Sequence, residues 1–351
     1  MKKIFTIIMT SILTIATLCA CAKTDVPIET NSVSDDKISI VCTIFPEYDW
    51  IREVLGEHIQ NADVTMLLDN GVDLHSYQPT TDDIIKISTC DMFVYVGGES
   101  DSWVKDALKE AANKDMVIIN LMDVLGETLK TEELIEGMEM EEHDHTHEEA
   151  QDHESQEAVE HEDVDDHEHE GAPAYDEHIW LSLKNAKVLS SYIGEKLGEI
   201  DSKNASDYAH NAKTYVEKLD LLDGKYEVAV SHASQKTLLF GDRFPFRYLV
   251  DDYDLSYYAA FIGCSAETEA SFETIAFLSG KMDELGLHSV LTIDGVQHKI
   301  AETIIQNTQQ KNQSILTLNS MQSITSKDME SGITYLSIME NNLDVLKAAL
   351  N

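Results

Sequence analysis

Residues 37–45 read KISIVCTIF, an apolar and β-branched run that ends at Pro46. Such a run is typical of a strand that is buried on both faces. Helical spacing follows over residues 48–55, and residues 63–67 then read as a second strand. A strand, a helix and another strand form the unit from which parallel sheets are built, so this stretch predicts an α/β fold.

The same alternation continues along the chain. Further strands are predicted at residues 92–96, 116–120, 237–240, 257–262, 290–293 and 315–318. Helical stretches over residues 184–200 and 204–231 separate the first four strands from the last four. We therefore expect two α/β lobes, each with a mainly parallel four-stranded sheet flanked by helices, joined through helix without a long flexible hinge.

The N-terminus carries the pattern of an export signal. In MKKIFTIIMTSILTIATLCAC, two lysines precede an apolar run that is too short to span a membrane and that ends in small residues. Its end, LCAC, resembles a bacterial lipobox, which would make Cys21 the first mature residue and the site of lipidation. The alternative is a simple secretory leader. We assign residues 1–20 to the signal peptide and residues 21–37 to a tether.

An acidic, histidine-rich tract lies in the middle of the chain. Residues 138–170 contain sixteen acids and no Lys or Arg. Their seven histidines are His143, His145, His147, His153, His161, His167 and His169. Low hydrophobicity and charge of one sign predict a disordered loop over residues 138–171, and imidazole with carboxylate suits divalent cations such as zinc. A solvated linker with incidental histidines is the alternative.

Charge narrows the possible partners. The formal net charge is −40, and the tract accounts for −16 of it, which leaves −24 on the rest of the chain. Nucleic acid and anionic membrane surfaces are therefore poor partners, whereas small cations are plausible ones. The 43% of hydrophobic residues is enough for two globular lobes, which we place at residues 38–183 and 204–351 with a connecting helix over residues 184–203.

Three cysteines remain outside the leader, namely Cys42, Cys90 and Cys264. An odd number outside the cytoplasm implies at least one unpaired thiol. Cys42 and Cys90 could pair if their strands are neighbours, which the sequence leaves open. Because there is no CxxC pair, we do not expect a zinc site with thiolate ligands.

Several polar residues lie where predicted strands end, the edge at which open parallel sheets bind ligands. His75 follows the second strand, Asp242 and Arg243 follow the fifth, and Asp294 follows the seventh. His178 lies where the tract ends and helix resumes. Two imidazoles and a carboxylate would suit zinc or manganese. Each of these residues could instead be a helix cap or a turn former.

Five segments carry a resemblance to a known family. They are FPEYD at 45–49, GVDLHSYQPT at 71–80, DMFVYVG at 91–97, EHIWL at 177–181 and KNAKV at 184–188. In these segments the chain resembles the substrate-binding proteins of zinc and manganese ABC transporters, the cluster A-I family, from about Ile38 to the C-terminus. The tract is similar to the loop of the zinc-type members.

The resemblance implies two α/β lobes joined by a rigid helix, with one divalent ion at their interface. It implies that His75, His178 and Asp294 are ligands, but it aligns Arg243 with the remaining ligand position. Arginine has no free lone pair and stays protonated, so it cannot bind a cation. Asp242, a tract histidine or water could complete the shell, and Arg243 could pair with Asp294. Cys264 and Glu267 are reserve ligands.

The function that the resemblance implies is a high-affinity Zn²⁺ receptor, lipid-anchored outside the bacterial cell, that serves an ABC permease and its ATPase. We expect a monomer that performs no chemistry. Two imidazoles and the histidine-rich loop favour zinc over manganese. A manganese receptor of the same type and a zinc-buffering lipoprotein are the alternatives. A metal-dependent hydrolase would need an open coordination position and a base, and no HExxH motif is present.

Overall fold

The computed structural model describes residues 37–109, 111–139, 174–265, 269–295 and 297–351. The leader and the tether as far as residue 36 lie outside these ranges. Cys21, Glu267 and all seven tract histidines lie outside them as well. The segment that decides the fold forms β1 (Ile38–Cys42). It lies inside a parallel sheet of order β2-β1-β3-β4 with β2 (Ala62–Met66), β3 (Met92–Tyr95) and β4 (Val117–Asn120).

Helix α1 (Phe45–Leu55) shows how the local sequence produces this half. Pro46 lies in the first turn, where its missing N–H costs nothing. Glu47 Oε2 accepts hydrogen bonds from the backbone N–H groups of Thr43 (2.7 Å) and Ile44 (3.2 Å), which satisfies donors that the helix start leaves free. Trp50, Ile51 and Val54 are buried. Further helices are α2 (Thr81–Thr89), α3 (Val104–Lys109) and α4 (Leu121–Leu125).

Two long helices follow, in agreement with the predicted helical stretches. They are α5 (Leu183–Ile200) and α6 (Ala205–Ser231), and they pack against each other. Ser182 begins α5, because its hydroxyl accepts a hydrogen bond from Asn185 N (3.0 Å). None of the helices in the described ranges is long and apolar enough to cross a membrane.

The second sheet repeats the topology of the first, with strand order β6-β5-β7-β8 and parallel pairing throughout. Its strands are β5 (Thr237–Phe244), β6 (Ser256–Ile262), β7 (Ser289–Ile293) and β8 (Ser314–Leu318). Its helices are α7 (Arg247–Asp252), α8 (Phe272–Leu285), α9 (Lys299–Asn307), α10 (Ser326–Glu330) and α11 (Tyr335–Leu350). The predicted fold class of two parallel four-stranded sheets is confirmed.

Strand β5 is longer than the sequence predicts. The predicted strand ended at Phe240, whereas β5 continues to Phe244 after a register irregularity between Phe240 and Arg243. Asp242 and Arg243 therefore lie within the strand instead of in the loop after it. The irregularity changes where their side chains point relative to the sheet.

The C-terminal helix α11 packs against α1, which belongs to the first half of the chain. Tyr335 N donates to Asp49 Oδ2 (2.9 Å), and the Tyr335 hydroxyl donates to the Trp180 carbonyl (2.7 Å). The Tyr335 ring packs edge-on against Trp50. One buried apolar cluster consequently includes residues of both sheets. The division into lobes at residues 183 and 204 stays a prediction.

Candidate metal centre

His75 is positioned by the turn that follows β2. Asp73 begins a short 3₁₀ helix (Leu74–Ser76), and its Oδ1 accepts a hydrogen bond from His75 N (3.0 Å). Nδ1 of His75 lies 2.8 Å from Ser100 Oγ and 3.5 Å from Glu177 Oε2. Because Nδ1 faces these partners, Nε2 is the nitrogen that His75 presents to the opposite side.

His178 is completely buried at the end of the second histidine motif. Its backbone N–H and its Nδ1–H both reach Asp176 Oδ1, at 2.8 and 3.0 Å. A carboxylate on Nδ1 fixes the tautomer that leaves a lone pair on Nε2, as in many metal-bound histidines. Gly263 lies directly beside the ring, and a Cβ there would be 3.1 Å from His178 Cε1. A larger residue at 263 would displace the imidazole.

The two imidazoles converge. Nε2 of His75 and Nε2 of His178 are 3.1 Å apart, and the rings meet at 61°. Gly98, at φ +81°, allows the Glu177 carboxylate to pack against the backbone of residue 98, because any Cβ there would overlap that carboxylate. With each Nδ1 engaged, the pair of Nε2 atoms forms a two-nitrogen binding position for a divalent ion.

Cys264 completes this group. The Nε2 or Nδ1 atoms of His75 and His178 and the Sγ of Cys264 all lie within 4.8 Å of one another. Burial raises the pKa of the Cys264 thiol, and the carboxylates of Glu132 and Asp176 raise it further. The thiol is therefore protonated until a cation displaces the proton. The structure brings a thiol beside the two imidazoles, which the absence of a CxxC pair did not lead us to expect, since a single cysteine on a loop leaves no such signature. Whether it binds as a thiolate stays a prediction.

A cleft of about 640 Å³ opens onto the group and is lined by His75, Ser100, Glu132, Glu177 and Cys264, among others. Gln322, which the sequence did not single out, reaches the group from the loop after β8, with Nε2 3.0 Å from His178 Nε2. The only signal that could have identified it is its position beyond the carboxyl end of a strand.

The structure does not bring the two predicted carboxylates into this group. Asp294 accepts hydrogen bonds from Ser320 N (2.5 Å), from Ser320 Oγ (2.8 Å) and from Ser323 Oγ. Asp242, 9% exposed, accepts from Arg243 N (2.8 Å) and Ile293 N (3.3 Å). Both residues are engaged in holding backbone, and their roles as ligands stay predictions.

Arg243 does not pair with Asp294, so that interpretation was wrong. Its Nη2 donates to Asp73 Oδ2 at 2.6 Å, and its Nη1 donates to the Ser265 carbonyl at 3.3 Å. Although burial acts to raise it, Arg243 and His75 hold the pKa of Asp73 below its usual value. The guanidinium thus links the turn that carries His75 to the segment that carries Cys264.

The other two thiols are separate from each other. Cys42 Sγ lies 3.5 Å from the Thr65 carbonyl and Cys90 Sγ lies 3.3 Å from the Ile87 carbonyl. All three described cysteines are free thiols, so the possible Cys42–Cys90 disulfide is not formed in this structure.

Comparison with known proteins gives the same picture as the geometry. Residues 40–349 match the family model described as zinc-uptake complex component A, periplasmic. The chain is 30% identical over 315 residues to the zinc-binding protein AdcA of Streptococcus pyogenes serotype M3, covering 90% of this chain and 56% of AdcA. It is 29% identical over 315 residues to the high-affinity zinc uptake system protein ZnuA of Bacillus subtilis, covering 90% and 88%.

Solved structures agree. The Zn(II)-bound ZnuA-like domain of Streptococcus pneumoniae AdcA is 25% identical with a TM-score of 0.65, covering 90% of this chain and 99% of that one. The metal-dependent lipoprotein YcdH of Bacillus subtilis is 25% identical with a TM-score of 0.67 and the same coverage. The chain spans little more than half the length of the AdcA relatives that it matches. The resemblance found in the sequence is confirmed, and the chain belongs to the family of zinc-uptake complex component A.

Proposed function

We propose that this protein is an extracytoplasmic receptor that binds Zn²⁺ with high affinity and delivers it to an ABC-type importer. The observation that carries the proposal is the convergence of His75 Nε2 and His178 Nε2 at 3.1 Å, with Cys264 Sγ close to both. Nothing in this arrangement acts on a covalent bond. Its chemistry is to hold a cation and release it.

The ligand atoms favour zinc over manganese. Imidazole nitrogen and thiolate sulfur are borderline and soft ligands, which suit Zn²⁺, whereas Mn²⁺ prefers carboxylate and water oxygens. The two predicted carboxylates that would have supported manganese are bound to serines and to backbone N–H groups. The names of the relatives, which describe zinc-binding and zinc-uptake proteins, support the same choice.

Family membership and the N-terminal sequence support the proposed location and partners. Relatives include the zinc-binding lipoprotein AdcA of Streptococcus pneumoniae, 30% identical over 335 residues. Lipidation at Cys21 would hold the receptor at the outer face of the cell membrane, close to a permease and its ATPase. The receptor acts as a monomer and performs no catalysis.

The seven tract histidines would be an accessory to the tight site. The chain segments on either side of the tract are joined, since Glu132 N donates to the Ala174 carbonyl and Asp176 N to the Lys130 carbonyl, both at 2.9 Å. The tract thus ends only a few residues before Asp176, which orients His178. Ligands on a polar, one-signed segment must lose chain entropy to surround an ion, so we expect them to bind several ions weakly.

Calorimetric titration of a soluble form without the lipidated cysteine, residues 22–351, with Zn²⁺ tests the proposal, together with the variants His75→Ala and His178→Ala. We expect one tight equimolar site in the parent. Each variant should lose more than the roughly 10- to 100-fold in affinity that removal of an outer hydrogen-bond partner typically costs. A tight site that survives in both variants would place the metal elsewhere.

Replacing residues 141–170 by a short Gly/Ser linker separates the receptor from a zinc buffer. This change keeps Met138, which is buried, and Glu139, whose N–H donates to the Ala260 carbonyl (3.0 Å). A receptor keeps the tight site and loses the weak ones. Loss of nearly all zinc binding would instead show that the tract is the working site.

A further inference from the structure

The three grouped ligands leave one position of a zinc site without a protein atom. A closed tetrahedral site has four ligands, and a site with three keeps a place for water. A receptor that holds its ion tightly benefits from the closed arrangement. The side chains that could fill the fourth position are those within reach of the two Nε2 atoms.

Gln322 is the side chain that fits this position. Its Nε2 lies 3.0 Å from His178 Nε2, the nitrogen whose lone pair a metal ion would use. Its Oε1 is buried and has no hydrogen-bond partner among the described residues. A buried amide oxygen without a partner is unfavourable in a protein interior unless something else satisfies it. A half-turn of the amide group exchanges oxygen and nitrogen, which brings the acceptor towards the ion.

The backbone around Gln322 is held firmly. Asp294 binds Ser320 and Ser323, which flank it. Trp180 Nε1 donates to the Ser320 carbonyl (2.9 Å), and Met321 N donates to Asn319 Oδ1 (2.8 Å). Fixed neighbours place a side chain so that it loses little entropy when it binds, as a residue that contacts the ion directly requires.

The nearby carboxylates are already engaged. Asp294 accepts three hydrogen bonds from serines, and Asp242 accepts two from backbone N–H groups. Asp73 is paired with Arg243, and Glu132 Oε1 accepts from Cys264 N (3.1 Å). Glu177 faces His75 from the Nδ1 side, away from the Nε2 pair. Glu267 lies outside the described residues and is therefore the rival to be tested.

We propose that Gln322 supplies the fourth ligand through its amide oxygen, and that Asp294 acts as the residue that positions it. This inference rests on the proposed zinc receptor. The complete set is two imidazoles, one thiolate and one neutral amide oxygen. A neutral fourth ligand holds the ion less strongly than a carboxylate would, which favours release to a permease.

The test compares Gln322→Leu, Gln322→His and Glu267→Gln by competition for Zn²⁺ with a chromophoric chelator. Gln309→Leu, on an exposed residue, is the matched control. We expect Gln322→Leu to weaken binding by at least the roughly 10- to 100-fold range seen when supporting groups of a metal site are lost. Gln322→His should restore most of the affinity, because an imidazole is a good zinc ligand. Gln309→Leu and Glu267→Gln should bind as the parent does.

Cobalt substitution gives a second readout that does not depend on affinity. The visible d–d bands of Co²⁺ report its coordination, so Gln322→Leu should change them while Gln309→Leu leaves them as in the parent. Parent-like affinity and spectrum in Gln322→Leu would overturn the inference, as would a loss of affinity in Glu267→Gln alone. Absence of any tight zinc site in the parent would overturn the proposed function itself, which is a separate result.

Discussion

The two halves of the candidate metal centre are built differently. The imidazole half, His75 and His178, belongs to motifs that resemble the family, and each ring has its Nδ1 fixed by a hydrogen-bond partner. The thiol half, Cys264 with Gln322, comes from loops after β6 and β8. The Cys264 thiol hydrogen-bonds to Glu132, whereas Gln322 Oε1 has no hydrogen-bond partner among the described residues. The difference teaches that hydrogen bonds orient both imidazoles and the thiol, and that the Gln322 amide is the least preorganised of the four side chains.

Among the variants that test this comparison, Cys264→Ser is expected to have the largest effect on zinc affinity. The substitution removes the one ligand that can carry negative charge among the grouped atoms. We expect zinc affinity to fall by more than in Gln322→Leu, and the sulfur-to-cobalt charge-transfer band of the Co²⁺-loaded protein to disappear. Zinc binding should also release about one proton fewer at neutral pH, because the thiol must lose its proton to bind.

Calorimetry in buffers of different ionisation enthalpy measures that proton release. Cys90→Ser is the control, since Cys90 is a buried thiol that contacts the Ile87 carbonyl and lies in α2's C-terminal cap. If Cys264→Ser retains the charge-transfer band and the parent's proton release, the thiol half has no thiolate ligand.

An intermediate effect is expected from Arg243→Met, which breaks the link between the halves. Arg243 joins Asp73, next to the His75 turn, to the Ser265 carbonyl, next to Cys264. Without it, the partly buried Asp73 carboxylate loses its cation and the two candidate ligand-bearing segments lose a common support. We expect zinc affinity to fall by about tenfold, the lower end of the range for outer groups of metal sites.

Arg247→Met is the matched control for that variant. Arg247 has a similar side-chain exposure and also forms ion pairs, but with Glu133 and Asp251. Equal zinc affinity in the two variants would mean that Arg243 does not support the site. Urea unfolding of both metal-free proteins separates loss of affinity from loss of stability.

The smallest effect is expected from Asp101→Asn, which replaces one of the buried carboxylic acids close to the imidazole half. Burial raises the pKa of Asp101 to about 7, and the charge of Glu177 adds to this. Because the pKa of Asp101 in the folded state is above its ordinary value, the folded state favours the protonated acid. The contribution of Asp101 to the free energy of unfolding is therefore lost as the pH rises from about 4 to 7. Asp101→Asn should show a weaker loss of stability over that range.

Urea midpoints of the metal-free parent and variant at several pH values measure this difference, which should amount to a few kcal/mol at most. The parent and variant should converge at the acidic end, where Asp101 is protonated in both states. An unchanged pH profile would assign the pH dependence to Glu47, whose pKa burial also raises well above the usual range.

Much of the fold could be predicted because its signals are local. The run KISIVCTIF forms β1, and the helices that we predicted over residues 184–200 and 204–231 differ from α5 and α6 by one residue at their N-terminal ends. Burial pattern and helical spacing are properties of neighbouring residues, so they can be read without the partner strands. The predicted end of β5 was wrong, because the strand continues through an irregularity that depends on its pairing with β6.

The candidate site shows the same division between what local sequence predicts and what only the fold provides. The sequence by itself predicted the two histidines as ligands, since motifs around His75 and His178 carry them, and it determined that Arg243 cannot be a ligand. Only the tertiary structure showed that Cys264 lies beside them, that Asp294 accepts hydrogen bonds from Ser320 and Ser323, and that Gln322 reaches His178. The reason is physical. The sequence gives the chemical type of each possible ligand. Whether that side chain is available to bind an ion depends on which hydrogen-bond donors and carbonyls the folded chain has brought within 3 Å of it.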